Sequence, residues 1–348
     1  MIYINARFLT QDITGVQRFA AELCLKLSAL RDDLVFLSPA DIKQTDIAKR
    51  LNVKVIGKHR GHRWEQIDLP FFLRRCGRPL LLNLGNTAPL LYKNKIITLH
   101  DISYLRFPET YSWAFRGVYK LLIPLLLKTC KTLLTVSEFS KKEIANKYQF
   151  PIERMHVIHN AVSDDFTPGC ADNVPVKYFL AVSSHHYHKN FHRLLAAFST
   201  LPGDHDIHMF VVGGTNSNFN GHHELGKNVS NRVNFIGRVS DAELVNLYRN
   251  AFCFIFPSLY EGFGIPPLEA QACGCPVIAS NAAAIPEVLG DSAIYVDPLN
   301  SAALAEAMEN IIVNPELRES LIVAGNANVQ RFSWLLSARK LNHVIDSV

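Results

Sequence analysis

Long hydrophobic runs are missing from this 348-residue sequence. Its most apolar helical stretch, 121–127, falls far short of the roughly 20 residues that cross a bilayer, so no membrane span is expected. The opening MIYINARFLT has no cationic region followed by an apolar core, so no secretory leader is expected either. A strong excess of one charge is lacking too: 36 Lys and Arg stand against 31 Asp and Glu, a net charge of +5. Zinc-finger spacing, an arginine-rich arm and an RNP-like aromatic strand are all absent, which argues against nucleic acid as a partner. The mild positive balance suits anionic ligands or an acidic membrane surface. Nor is there a disulfide framework, because the seven cysteines are odd in number, widely spread, and in several cases set in apolar runs where a thiol acts as a small hydrophobe. A reducing, cytoplasmic setting follows, with at most a peripheral contact at the inner face of the cell membrane. No short-period repeat or low-complexity segment interrupts the chain.

What is present is enough apolar material, 48%, to bury a sizeable core, on a chain longer than one compact domain usually needs. Short β-rich runs at 95–99, 132–136, 178–182, 208–212, 233–236, 252–256 and 276–279 recur between amphipathic helical segments. Strands alternating with helices predict parallel sheets covered on both faces. Around 163–175 the pattern breaks into SDDFTPGCADNVP, a linker composition, before a strand restarts at YFLAV. The expected organisation is α/β: a Rossmann-like domain over 1–165, a second over 175–332, and a C-terminal helix, 333–348, that returns to the first. A ligand is expected in the central cleft that the two sheets face.

The densest chemistry lies in PSLYEGFGIPPLEAQACGCPVIAS, 257–280. The apolar run 252–256 reads as a central parallel strand whose carboxyl end feeds a loop, the edge at which open α/β sheets bind ligands. Pro266 and Pro267 suit a helix's first turn and Gly274 its stop, which puts Glu269 in or near that first turn. Free N–H groups at the helix start, with glycines at 262 and 264 that let the backbone approach closely, make a seat for a phosphate. Carboxylates there would repel an anion unless aimed at something else, and sugar hydroxyls donate well to ionised oxygens. A nucleotide sugar has both parts. The plainer alternative is that Glu269 complements its helix dipole and Glu261 is a solvated loop residue.

This stretch resembles the Glu-x7-Glu signature of retaining glycosyltransferases of family 4, which have the GT-B fold of two Rossmann-like domains. TGVQRFAAEL, HDISYLRFPETYS, TVSEFSKKEIA, VIHNAV, HKNFHRLLAAF and FSWLLSA resemble that family's other blocks in the expected order. The resemblance implies that Glu261 contacts the hydroxyls of the transferred sugar and Glu269 those of the ribose, with backbone amides of Phe263, Gly264 and Ile265 near sugar and diphosphate. Lys189, followed by Asn190 in the donor-binding block, would neutralise the departing diphosphate. His188 stands where the family commonly has arginine, so a second cation is in doubt; Arg193 or Arg238 could substitute. Gly15, in a Thr-Gly-Val turn before a helix beginning near Gln17, resembles the loop that approaches the donor diphosphate. His100, at a strand's carboxyl end, would sit by the donor sugar, with Asp101 either orienting it, acting on the acceptor or holding a turn. Ser137 and Glu138 resemble scaffold.

His185, His186 and His188, and the Asp204-His205-Asp206 stretch, invite a metal reading, but they lack an obvious fourth ligand and lie in polar turns. The resemblance implies no cofactor and no catalytic metal. The segment 113–131, WAFRGVYKLLIPLLLKTCK, reads either as an amphipathic cationic helix resting on anionic lipid or, the commoner case, as a buried helix with a basic exposed face interrupted at Pro124. The partners implied by the resemblance are a nucleotide diphosphate sugar donor on the 175–332 domain and a saccharide or lipid-linked acceptor on the loops of the 1–165 domain. The expected activity moves a hexose, mannose from GDP-mannose by the resemblance, as in O-antigen, lipopolysaccharide or capsule assembly. A scaffold subunit that keeps the fold without turnover is the competing class.

Overall fold

A computed structural model describes residues 1–169, 176–182, 186–213 and 231–348, with the side chain of Asp204 set aside. The expectations placed on Cys170, His185, the Asp204 carboxylate and the end of the linker lie outside the described residues. The chain divides into two compact units, one formed by 1–160 with 333–348 and the other by 161–332.

In the first unit seven strands run β1 (Ile2–Asn5), β2 (Leu34–Ser38), β3 (Lys54–Val55), β4 (Leu80–Asn83), β5 (Lys95–Thr98), β6 (Thr132–Thr135) and β7 (Met155–Val157). Their spatial order is β3-β2-β1-β4-β5-β6-β7, and every neighbouring pair is parallel. The strands β5 and β6 are buried at every position, which is why they read as continuous apolar runs. Lys95 is the exception within them: its Nζ is held inside by the carbonyls of Pro89 and Tyr92 and by Thr129 Oγ1, at 2.8 to 2.9 Å. Burial pulls its pKa down to about 8.

The second unit holds β8 (Lys177–Val182), β9 (Ile207–Val212), β10 (Val233–Gly237), β11 (Cys253–Phe256), β12 (Val277–Ser280) and β13 (Ile294–Val296). Their order is β10-β9-β8-β11-β12-β13, again all parallel. Each sheet therefore grows one way through three strands and then reverses. The reversals fall between β1 and β4 in one unit and between β8 and β11 in the other, the crevices where open α/β sheets take ligands.

The C-terminal helix Trp334–Asp346 packs in the first unit against the helix Gly15–Ser28. The ring of Trp334 meets Phe19 edge-on at 6.2 Å, and Ser337 Oγ donates to the carbonyl of His159 at 2.8 Å.

Two local expectations are corrected. Gly15 is not in a turn before a helix at Gln17; it is the first residue of the helix, because Thr14 occupies the cap position and its N–H donates to Gln17 Oε1 at 3.2 Å. The segment 113–131 is not interrupted at Pro124, and its solvent face carries apolar side chains beside the basic ones. It forms a helix, Trp113–Thr129, that runs through Pro124 and buries Ile123, Leu126 and Leu127. Val118, Leu121 and Leu125, spaced three and four apart on one face, are exposed, as is Trp113 at 85%. Lys120 and Lys128 are exposed on the same helix. Among the described residues no helix is long and apolar enough to cross a membrane.

Candidate functional site

At the reversal between β8 and β11, the loop after β11 leads into the helix Ile265–Ala272 through Gly264. Gly264 has φ of +99°, the left-handed region that a side chain resists, and this lets the chain turn sharply from strand into helix. Of the peptide groups 263 to 267 only three carry an N–H, because positions 266 and 267 are proline. The anion seat expected here therefore rests on Phe263, Gly264 and Ile265 alone.

Glu261 lies in the same loop with its side chain nearly closed off from solvent, and Lys189 reaches it from the turn after β8: Lys189 Nζ stands 2.6 Å from Glu261 Oε1. The structure thus brings together, as an ion pair, two residues 72 positions apart. The Lys189 ammonium also lies over the ring of Phe256, the last residue of β11, at 5.7 Å.

Asn190 is adjacent but differently employed. Its backbone is left-handed, φ +62°, and its Nδ2 donates to the carbonyls of Pro257 at 2.9 Å and Pro298 at 2.6 Å. Arg193 Nη1 donates to its Oδ1 at 2.9 Å. Both amide hydrogens are engaged, and they tie the turn bearing Lys189 to the residue after β11. Arg193 is drawn into that same tie, while Arg238 is exposed.

His188 is buried, and its carbonyl accepts from Leu259 N–H at 2.7 Å. Burial, then the neighbouring Lys189 charge, pull its pKa down to about 4, with Glu261 acting the other way. The imidazole is neutral at physiological pH, which leaves Lys189 as the cation closest in sequence to the expected arginine position. An unfolded chain takes up a proton here below about pH 6.5, whereas the native site waits until about 4. Stability is therefore fully present above that upper value and lost as pH falls through the window, by at most about 3.5 kcal/mol at about 1.4 kcal/mol per pH unit. Urea unfolding near pH 7 and near pH 4.5 is expected to show His188→Gln losing less stability than the wild type; parallel losses would mean the ring titrates normally.

Glu269 lies one residue beyond the first turn of its helix rather than within it, is buried, and receives Tyr248 Oη at 3.3 Å on Oε2. Burial, followed by the charge of Glu269, lifts the Tyr248 hydroxyl well above its ordinary range, so it stays a neutral donor.

In the first unit, His100 follows β5 and is buried. Its Nε2 lies 3.1 Å from the Leu84 carbonyl, its backbone N–H donates to Asn86 Oδ1 at 3.0 Å, and Phe19 packs edge-on against the ring at 4.8 Å. Burial lowers its pKa, with the Leu84 carbonyl and the Asp101 charge working against that. A neutral ring that donates through Nε2 has only Nδ1 left, so its remaining chemistry is hydrogen-bond acceptance. Asp101 holds a turn, accepting Ser103 N–H at 2.8 Å. Ser137 caps the helix Glu138–Tyr148 by accepting Ser140 N–H at 3.0 Å. Among the described residues no three His, Cys, Asp or Glu side chains form a metal-sized group.

Two features escaped sequence reasoning. Ala283, in the loop after β12, is left-handed at φ +56°, and the next N–H, of Ala284, points toward the Glu261 carbonyl at 3.4 Å. Nothing in Asn-Ala-Ala-Ala announces this, since alanine resists that conformation. The other is a buried carboxylate, Glu65, in the first unit.

Comparison with known proteins gives two family matches: Glycosyltransferase Family 4 over residues 13–166 and Glycosyl transferases group 1 over residues 171–327. O-antigen chain mannosyltransferase B of Escherichia coli is 31% identical over 273 residues, 71% of this chain and 68% of the relative. O-antigen chain mannosyltransferase RfbU of Salmonella typhimurium is 33% identical over 208 residues, 59% of this chain, and the match spans 57% of that relative's length. Among solved structures, sucrose-phosphate synthase from Thermosynechococcus elongatus superposes with a TM-score of 0.76 at 17% identity, over 99% of this chain and 98% of that one. HepE of Anabaena, in complex with UDP and glucose, gives 0.74 at 19% identity, over 100% and 99%. These two share the fold of two parallel-sheet units.

Proposed function

Because the chain belongs to the family 4 glycosyltransferases, with the GT-B fold, we propose that it is a retaining glycosyltransferase moving mannose from GDP-mannose to a hydroxyl of a saccharide or lipid-linked acceptor in O-antigen or lipopolysaccharide synthesis. The observation that carries this reading is the Lys189 to Glu261 pair at the β8/β11 reversal, beside the helix start at Gly264. A donor diphosphate arriving there competes for Lys189 and stabilises it as well as Glu261 does. The carboxylate released by that exchange accepts hydroxyls of the transferred sugar, and the N–H groups of Phe263, Gly264 and Ile265 face the diphosphate. As the glycosidic bond breaks, negative charge grows on the leaving oxygen, where a fixed ammonium is worth most. The relatives named as mannosyltransferases favour mannose as the sugar.

A thermal-shift screen of nucleotide sugars tests the donor. GDP-mannose at about 100 times its Kd is expected to add about 2.7 kcal/mol of stability, with UDP-sugars giving less. Running the accompanying transfer assay in EDTA tests metal independence, and a panel in which no nucleotide sugar shifts the melting curve would sink the reading.

The exposed strip of Trp113, Val118, Leu121 and Leu125, with Lys120 and Lys128 on the same helix, supports a peripheral seat on anionic lipid, which fits a lipid-linked acceptor. Co-sedimentation with phosphatidylglycerol vesicles is expected at low salt and loss of it at high salt. Protein that stays in the supernatant at low salt would rule this seat out.

A further inference from the structure

The helix Ile265–Ala272 is buried continuously from Pro267 onward, so the direction of its side chains depends on what packs behind it. Behind it stands the helix Pro315–Val329, which turns Leu321, Gly325 and Asn328 inward at spacings of four and three. Gly325 lets the two come close. A Cβ added there would stand 3.0 Å from Gln271 Cγ and 3.3 Å from its Cβ.

Gln271 is 1% exposed, a polar amide in a helix contact of the kind that apolar side chains usually fill. All of its hydrogen-bonding capacity is matched. Its Nε2 donates to the Ser292 carbonyl at 3.0 Å and to Ser292 Oγ at 2.7 Å, and its Oε1 accepts from Asn328 Nδ2 at 2.8 Å. Asn328 Nδ2 also donates to the Val288 carbonyl at 3.2 Å, while Asn328 Oδ1 accepts from Arg331 Nη1 at 2.6 Å. Arg331 extends the network to the Glu287 carbonyl through Nη2 at 3.1 Å. Three stretches separated in sequence are thereby locked to one another. The front of the donor segment is held independently, since Phe263 meets Phe332 edge-on at 5.5 Å. That leaves Gln271 to govern the helix itself.

Folding exchanges hydrogen bonds with water for these, so the net stability gained is small, and an apolar residue of similar volume would hold the two helices together about as well. What the matched amides add is direction, because only one rotation of the helix satisfies them all at once. Glu269 lies two positions before Gln271. At about 3.6 residues per turn, two positions put the side chains about 200° apart, so fixing the amide on one side fixes where the carboxylate on the other side points. We propose that Gln271 is a positioning residue for the donor: clamped by Ser292 and Asn328, it sets the rotation of its helix so that Glu269 presents its carboxylate to the ribose. This role rests on the glycosyltransferase reading and adds the residues that keep the nucleoside end of its site in shape.

Steady-state kinetics with GDP-mannose and melting curves, both on the full chain, test it. Gln271→Met keeps the volume and flexibility of glutamine without its hydrogen bonds, and Asn328 and Ser292 Oγ retain the carbonyls of Val288 and Leu289. Its donor KM is expected to rise about tenfold, the scale of one hydrogen bond to a charged group, with kcat within about twofold and the melting temperature lowered by no more than a few degrees. Gly325→Ala reaches Gln271 from the opposite helix. Alanine suits a helix interior better than glycine, while its methyl presses on Gln271, so KM should rise without a fall in melting temperature. Glu269→Gln separates aim from support: adding Gln271→Met to it should raise KM no further, whereas two independent losses would multiply. An unchanged KM in both Gln271→Met and Gly325→Ala, a further rise in the double variant, or normal donor binding in Glu269→Gln would overturn the role while the donor reading stands. Wild-type protein that binds no nucleotide sugar would overturn the proposed function and this role together.

Discussion

Glu261→Ala is expected to lower kcat for sugar transfer by about 10³-fold while leaving the donor KM unchanged or lower. The direction follows from the ion pair. Lys189 and Glu261 are 19% and 12% exposed in their side chains and 2.6 Å apart, so each is the other's main compensation in a site that little water reaches. Without the carboxylate, Lys189 becomes a nearly buried cation lacking its anion, and a diphosphate is the best replacement on offer. Ground-state binding therefore holds or improves while the sugar loses the group that grips its hydroxyls as the bond breaks. Lys189→Ala should invert the pattern, raising donor KM and lowering kcat by about 10² to 10³-fold, since the neutral His188 beside it supplies no replacement charge. Glu261→Gln separates two mechanisms. If the carboxylate acts by accepting hydroxyls, with the leaving diphosphate assisting the incoming nucleophile on the same face, the amide restores part of the loss. If it attacks the sugar carbon, the amide is as inactive as alanine. Steady-state kinetics decide all three, and a normal rate in Glu261→Ala would remove the residue from the mechanism.

Several buried strands were legible because burial on both faces leaves an apolar run, as in Cys253–Phe256 and Thr132–Thr135, whereas Ile2–Asn5 and Leu80–Asn83 at the first sheet's reversal went unnamed. Of the edge strands, β10 was announced by the run 233–236, whereas Lys54–Val55, two exposed residues paired with β2, was not. The grouping of residues at the β8/β11 reversal was legible to the extent that they lie close in sequence around one helix start. Distances across the chain were not, so the Lys189 to Glu261 pair, the spent amide of Asn190 and the Arg7 to Glu65 network emerge only once the reversals in strand order bring separated loops together. The helix Trp113–Thr129 shows another limit. Its composition announces an amphipathic segment, but which face meets the core depends on what packs beneath, here Ile97, Leu99 and Leu133. The φ of +99° falls on Gly264, one of the two glycines singled out for close backbone approach, whereas that of Ala283 was hidden behind a residue type that avoids it.

Glu269→Ala is expected to raise the donor KM by about 10 to 100-fold with kcat changed much less, the loss of one or two charge-assisted hydrogen bonds to ribose hydroxyls. A second effect accompanies it in alanine and has to be separated. Tyr248 Oη, fully buried, donates to Glu269 Oε2, and its neutral form is enforced by burial and by that carboxylate's charge. Alanine strands the phenol without its acceptor, at about 1 to 3 kcal/mol of stability. Glu269→Gln returns an acceptor of the same reach to Tyr248 but no charge to the ribose. Its melting temperature should therefore sit nearer the wild type than that of Glu269→Ala, while its KM stays high. Tyr248→Phe completes the comparison, because it removes the donor and leaves the carboxylate, so KM should move little. If instead Glu269→Gln recovers both stability and affinity together, the carboxylate serves only to anchor Tyr248 and its helix, and the ribose must be held by other groups.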